Sequence, residues 1–326
     1  MNNSDDQAWT AASLLDADFP EQIWKVEGLV PDEGLMLIAG KRKIGKGWLY
    51  LQLADACDKG GLFLERQAQR CRTLIYALED NPRRLKRRLL KQGVLPTENI
   101  AIRFRWPGWD VVATEIVEGK FDICIVDTVS RAMPEIEPKD TTKWTEALSQ
   151  WQEFALANKV LVVGIDHERK SKLGQSHSMD EVLGSQAKTA VADAIMQLHR
   201  EQGKHDTVLS ADGRDYEDEV ELVVKFDRKS ACWQVVGRVE EVKRGVSKEV
   251  LDAIATIRLE DAETLPTTQK IAMLIGMTPG YVSQTLADLE AEGEVAKGPK
   301  IGREQPYFLP GTDVSKWYES LNDQDG

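Results

Sequence analysis

Apolar runs recur along the first two thirds of the chain, at Leu35–Ala39, Thr73–Leu78, Phe121–Val126 and Val160–Ile165. Runs without polar alternation predict strands buried on both faces of a parallel sheet. Helical stretches fall between them, at Lys46–Lys59, Pro82–Gln92 and Thr141–Ala157. Strands alternating with helices predict βαβ units and a doubly wound α/β sheet. After about residue 194 the pattern changes. Ala194–His199, Thr207–Ala211, Glu219–Phe226 and Trp233–Val236 read as short strands joined by turns, Asp212–Asp215 among them. They predict antiparallel strands added to one edge of the sheet.

This pattern divides the chain into a lead-in (1–24), an α/β domain (25–238), a charged linker (239–246), a small second domain (247–312) and a tail (313–326). In the small domain Ser247–Leu259, Thr267–Leu274 and Pro279–Glu292 read as helices. Glu294–Ala296 and Pro306–Leu309 read as two strands around a Gly/Lys/Arg turn. Helix-turn-helix followed by a basic turn reads as a winged helix.

Composition changes this picture little. With 326 residues, 42% hydrophobic and 29% charged, the chain can bury a core without staples. The net charge of −12 excludes a wholly basic, histone-like footprint, though local basic segments can still bind phosphate. Cys57, Cys71, Cys124 and Cys232 are far apart and lack metal spacing, which predicts neither disulfide framework nor zinc site and suits a reducing cytoplasm. The acidic start is not a signal peptide, and no run is long enough to span a membrane. The expected location is cytoplasmic.

The chemistry begins at Gly40-Lys41-Arg42-Lys43-Ile44-Gly45-Lys46-Gly47-Trp48. A G-x-x-x-x-G-K loop that follows an apolar strand and opens an amphipathic helix is the setting a phosphate-binding loop requires. Backbone N–H groups curl round the phosphates, the helix N-terminus adds a positive field, and Lys46 reaches the β- and γ-phosphates. A surface turn is the competing reading. One position departs from the pattern: the residue after the lysine ordinarily carries a hydroxyl that ligates magnesium, and here it is Gly47. Nucleotide binding is therefore a safer expectation than rapid hydrolysis.

Two acidic strand ends accompany the loop. Asp127 closes the third run and is the candidate holder of Mg2+ through water; an ordinary turn cap is the alternative. Glu79 and Asp80 close the second run. Glu79 is the candidate catalytic base, and Asp80 or Asn81 the cap of the helix that follows.

Gly40–Ala54, then Leu78-Glu79-Asp80-Asn81-Pro82-Arg83-Arg84-Leu85, then Val126-Asp127-Thr128, together resemble the RepA-type hexameric ATPases of the RecA/DnaB-like P-loop branch. Asp166-His167-Glu168-Arg169-Lys170, Leu183-Gly184-Ser185, Ala192-Asp193 and Gly213-Arg214-Asp215 extend the likeness over roughly residues 25–238. The resemblance implies a RecA-like, mostly parallel sheet, and ATP with Mg2+ bound between subunits of a homo-oligomer, possibly a hexamer. It makes His167 a sensor of the γ-phosphate. Arg169, Lys170, Arg200 and Arg214 become candidates for reaching a neighbour's site, with no choice among them.

Single-stranded DNA would meet loops facing a ring channel. Ser130–Lys143 and Lys170–Val182 are such loops, with Lys139, Lys143, Lys170 and Lys172 as phosphate contacts. On Arg83–Arg88, leucines 85, 89 and 90 are expected inward and the basic residues on a solvated face. In the small domain Tyr281, Ser283 and Gln284 are candidates for base edges of duplex DNA, and Lys297, Lys300 and Arg303 for its phosphates. Against this, residues 245–326 hold 7 Lys/Arg and 14 Asp/Glu, a net of −7, so protein contacts are a competing role for that domain. Replication or recombination as helicase, translocase or loader is the expected role. A weakly hydrolysing nucleotide-sensing scaffold, or a DNA-bound regulator of a mobile element, is the alternative.

Overall fold

The computed structural model describes residues 8–18, 24–167, 186–200, 207–260, 265–300 and 303–313. A short helix α1 (Ala11–Leu15) precedes a small antiparallel pair, β1 (Trp24–Val26) and β2 (Val30–Pro31). The chain then enters β3 (Gly34–Gly40), every residue of which is buried, as a strand covered on both faces must be. Helix α2 (Lys46–Lys59) follows and stops at Gly60 in the left-handed conformation. A second small pair, β4 (Leu62–Phe63) and β5 (Arg66–Gln67), leads to β6 (Thr73–Ala77). Helix α3 (Pro82–Gln92) begins with Asn81 accepting from the Arg84 N–H and with proline in its first turn. Then come β7 (Ile100–Arg103), α4 (Trp109–Gly119), β8 (Ile123–Asp127), α5 (Val129–Ala132), α6 (Thr141–Asn158) and β9 (Leu161–Ile165).

Beyond the helix Gln186–Val191 the chain forms β10 (Ala194–Arg200), β11 (Thr207–Gly213), β12 (Val220–Asp227) and β13 (Cys232–Arg238). One nine-stranded sheet results, ordered β13-β12-β11-β10-β3-β9-β8-β6-β7. From β10 to β7 all neighbours are parallel; β11, β12 and β13 add antiparallel pairs at one edge. This is the mostly parallel, RecA-like arrangement with antiparallel edge strands that the periodicity and the resemblance imply. Ligands of such sheets bind beyond the carboxyl ends of the strands, where connections diverge. That rim carries the loop after β3, Glu79 after β6, Asp127 on β8, His167 after β9 and Arg200 on β10.

Each sheet face carries its own core. One joins α2 and α3 to the sheet through Leu49, Leu53, Leu85, Ile38 and Ile75. The other is aromatic: Trp144 and Trp151 of α6 pack with Tyr76, and Trp109 stacks on Trp151 at 4.9 Å and 18°. Trp151 is 1% exposed, so Trp151→Ala should cost about 3–5 kcal/mol of stability by emptying this layer, read as a lower urea midpoint. An unchanged midpoint would show that the layer collapses to fill the gap.

Several expectations are corrected. The stretch 239–246 is not an extended linker: a continuous helix, Val239–Glu260, starts at the end of β13. Val239 and Val242 pack on Val208 and Val223 of the edge strands, an apolar contact hidden among Glu240, Glu241, Lys243 and Arg244. The stretch Ser130–Lys143 keeps a loop only at 133–140, between two helical ends. It holds α5 and the start of α6, where Asp140 caps Lys143 and pairs with it at 3.3 Å, while Lys139 is exposed. Leu90 points outward, 67% exposed, whereas Leu85 is buried. The pattern of apolar runs does not mark the edge strand β7, since Ile100–Arg103 is short and only half-buried. Cys57 and Cys71 meet through a 3.0 Å backbone bond and a thiol contact, and both remain free thiols, so the cysteine expectation is not among those corrected.

The C-terminal unit has its own core. Val250 and Ile254 of the long helix meet Ile271, Val282 and Leu286 of the helices Thr268–Ile275 and Pro279–Ala291. A two-stranded hairpin follows, β14 (Ala296–Lys297) with β15 (Tyr307–Phe308), and Thr267 bridges to Pro306. Among the described residues no helix is long and apolar enough to cross a membrane.

Candidate nucleotide-binding site

The loop between β3 and α2 wraps an open cavity of about 810 Å³. Gly45 has φ 121°, a conformation only glycine adopts without strain, and a Cβ there would lie 2.6 Å from the Trp233 ring. Trp233 fixes the loop from the far edge strand. Its indole N–H donates to the Gly45 carbonyl at 3.3 Å, and its own backbone exchanges two bonds with the Gln52 side chain of α2. No sequence signal marks a partner 188 residues away.

Lys46 is buried at the first turn of α2. Its ammonium donates to the Gly40 carbonyl, to the Lys41 carbonyl at 3.2 Å and to His167 Nδ1 at 3.0 Å. His167 in turn presents Nε2 to Glu79 Oε2 at 3.5 Å. Burial and the Lys46 charge hold the His167 pKa below its usual value, so the ring is neutral at pH 7. With Lys46 donating to Nδ1, the ring proton is assigned to Nε2, facing the Glu79 carboxylate. Sheet order explains this chain of contacts. β9, which carries His167, lies between the loop strand β3 and the Asp127 strand β8, so Asp127 is one strand further from the loop than adjacency would put it.

Asp127 is 8% exposed. Its carbonyl accepts from the N–H groups of Leu78 and Glu79 at 2.7 and 3.2 Å, which ties the two acidic strand ends together. Burial pushes its carboxyl up to about 6; the Tyr50 hydroxyl beside it, Arg88 and Lys46 act the other way, while the Glu79 charge adds to the rise. The folded value lies above the ordinary 3.8. The carboxyl therefore supports folding when protonated, and that support is lost as pH rises through about 6. Asp127→Asn should accordingly melt higher than wild type at pH 8, with the gap closing by pH 4. A gap that does not change with pH would show that Asp127 is not forced to ionise in the fold.

Glu79 is more open. Thr128 donates to it at 3.4 Å and Arg131 approaches at 3.9 Å. Asp80 is not simply a cap. Its side chain, 3% exposed, accepts from Arg84 and Arg88, while Asn81 caps the helix. Both arginines line the cavity, so part of the basic run expected on a solvated face belongs to the site. The spacing of Asp80, Arg84 and Arg88 along one helix face was the available signal.

The cavity is cationic in a chain of net charge −12. Lys43, Lys46, Arg84, Arg88, Arg200, Lys225 and Arg228 line it against Glu79, Asp80 and Asp127. Such a concave surplus concentrates anions. Among the described residues no group of three or more carboxylates, His or Cys is placed to hold a metal by itself. One or two carboxylates with substrate phosphates are what Mg2+ ordinarily uses, and Asp127, with Glu79 beside it, fits an ion that arrives with its nucleotide.

Among the trans-subunit candidates, Arg169 and Lys170 lie outside the described residues, as does Lys172. Arg200 lines its own chain's cavity and bonds Thr207 at 3.1 Å. Arg214 sits at the opposite end of the sheet, paired with Asp193 at 3.1 Å. Of the C-terminal candidates, Ser283, Gln284, Lys300 and Arg303 are exposed, Lys297 pairs with Glu290, and Tyr281 is half-buried against the core.

Fold and site together define a P-loop protein. The chain belongs to the AAA domain family, which matches residues 4–172, just over half of its length. Members of this P-loop ATPase family generally bind ATP with Mg2+. No curated protein matches the chain. Among solved structures it is similar to a KaiC-like protein from the hyperthermophilic archaeon Pyrococcus horikoshii, at 12% identity and a TM-score of 0.46, over 66% of this chain and 98% of that one.

Proposed function

We propose that this protein binds ATP with Mg2+ in the cavity above β3 and hydrolyses it as a RepA-like, DNA-associated ATPase acting in an oligomer. The observation that carries the reading is the relay Lys46–His167–Glu79, which links the group that holds phosphate to the group that can polarise water. Lys46 holds the β- and γ-phosphates and Glu79 orients the attacking water. Asp127 holds the magnesium through water, and the ion, when bound, neutralises phosphate charge. His167 stands where loss of the γ-phosphate alters its contacts. We take the C-terminal helices and hairpin to be a winged helix, with Ser283, Gln284, Lys300 and Arg303 as its DNA-facing candidates. Helicase, translocase or loader activity in replication or recombination is the role this reading favours, and a cytoplasmic location goes with it.

A second reading has its own observation. Gly47 supplies no hydroxyl to the metal, which favours a nucleotide-sensing scaffold or DNA-bound regulator with little turnover. ATP turnover with and without single-stranded DNA separates the two. Stimulation by DNA is expected for the ATPase reading. Tight ATP binding without turnover in either condition would replace it with the scaffold.

A further inference from the structure

Position 47 lies in the first turn of α2, where the phosphate loop ordinarily presents its metal-binding hydroxyl. The place is filled. A Cβ built on Gly47 would lie 3.1 Å from Nη1 of Arg88. A serine here would make the guanidinium give way by a few tenths of an ångström, and glycine leaves it room.

Arg88 is held there from several sides. Nη1 pairs with Asp80 Oδ2 at 2.8 Å. The guanidinium lies over the Trp48 ring at 5.3 Å from its centroid. Its charge also reaches Asp127, the candidate magnesium holder. The side chain thus lies beside the position of the missing hydroxyl, and it lines the same cavity as Asp127. A guanidinium carries five N–H donors, and Nη1 is the nitrogen that pairs with Asp80, so donors remain for phosphate oxygens. Asp80 also engages Arg84, so loss of Arg88 does not leave a buried carboxylate unpaired.

We propose that Arg88 is a phosphate-binding residue that takes the place of the missing loop hydroxyl, so that a nucleoside triphosphate binds this site with little dependence on magnesium. The proposal rests on the nucleotide-binding reading above. A metal ion at a loop without its hydroxyl loses one protein ligand to water. A fixed guanidinium supplies positive charge and a planar fork that matches phosphate without any ion.

The test is ATP affinity of the full chain by calorimetry, in Mg2+ and in EDTA. Wild type should weaken by less than roughly threefold on chelation, and Arg88→Gln in EDTA should weaken by at least roughly tenfold, the scale of one lost charge-assisted contact. In the Arg88→Gln/Gly47→Ser double variant, binding should return only with Mg2+. Thermal unfolding of each variant verifies the fold. Arg88→Lys, which keeps the charge, should retain most of the EDTA binding, and it stands in should Arg88→Gln not fold. Wild-type binding that collapses on chelation, or an Arg88→Gln variant that matches wild type in EDTA, overturns the Arg88 proposal. Absence of ATP binding in both buffers, with Lys46→Ala indistinguishable from wild type, overturns the nucleotide reading beneath it.

Discussion

Lys46→Ala is expected to weaken ATP binding by roughly 10- to 100-fold, the scale of losing one charged hydrogen-bond donor to a phosphate. The side chain is buried, and its ammonium rests on the carbonyls of Gly40 and Lys41, which form the start of the loop itself. An incoming phosphate exchanges neutral carbonyl acceptors for a charged one, so the gain is largest for this residue. The substitution also removes the donor to His167 Nδ1, which frees the ring to turn away from Glu79. Fluorescence titration with a labelled ATP analogue would measure the loss. Affinity equal to wild type would mean that nucleotide, if bound, does not sit on this loop.

Glu79→Gln is expected to leave ATP affinity within roughly threefold and to slow turnover about 10²- to 10⁴-fold, the usual range for a general base. The amide keeps the shape and the contact with Thr128 but cannot take a proton. Glu79 suits the role because it is partly open to the cavity, faces the His167 Nε2 proton and is anchored by its backbone N–H to the Asp127 carbonyl. Of the other carboxylates at this rim, Asp80 is taken up by Arg84 and Arg88, and the burial of Asp127 raises its pKa, which makes it the less available anion at mildly acid pH. A single-turnover assay would separate chemistry from release. Unimpaired turnover in Glu79→Gln would move the base assignment elsewhere.

The parallel sheet was legible because β3, β6, β8 and β9 are buried on both faces and so read as unbroken apolar runs. The same signal put Asp127, Glu79 and His167 at strand ends, because a buried strand turns polar where it leaves the core. Position across the sheet was not legible. Periodicity carries no strand order, so β9 between β3 and β8, and with it the Lys46–His167–Glu79 relay, emerges only in three dimensions. Charge misled twice. Val239 to Gly245 reads as a solvated linker by composition, yet two valines on one helix face anchor it to the edge strands. Arg84 and Arg88 read as a solvated face, yet the buried carboxylate of Asp80 turns both into the cavity. Gly47 read as a deficit. The guanidinium of Arg88 that lies beside it is brought there only by the fold.

The central claim is that the loop Gly40–Gly47 binds a nucleoside triphosphate. Calorimetric titration of the purified full chain with a non-hydrolysable ATP analogue tests it most directly. Saturable binding at one site per chain, lost or strongly weakened in Lys46→Ala, is the expected result. The absence of saturable heat from a folded wild-type protein would contradict it.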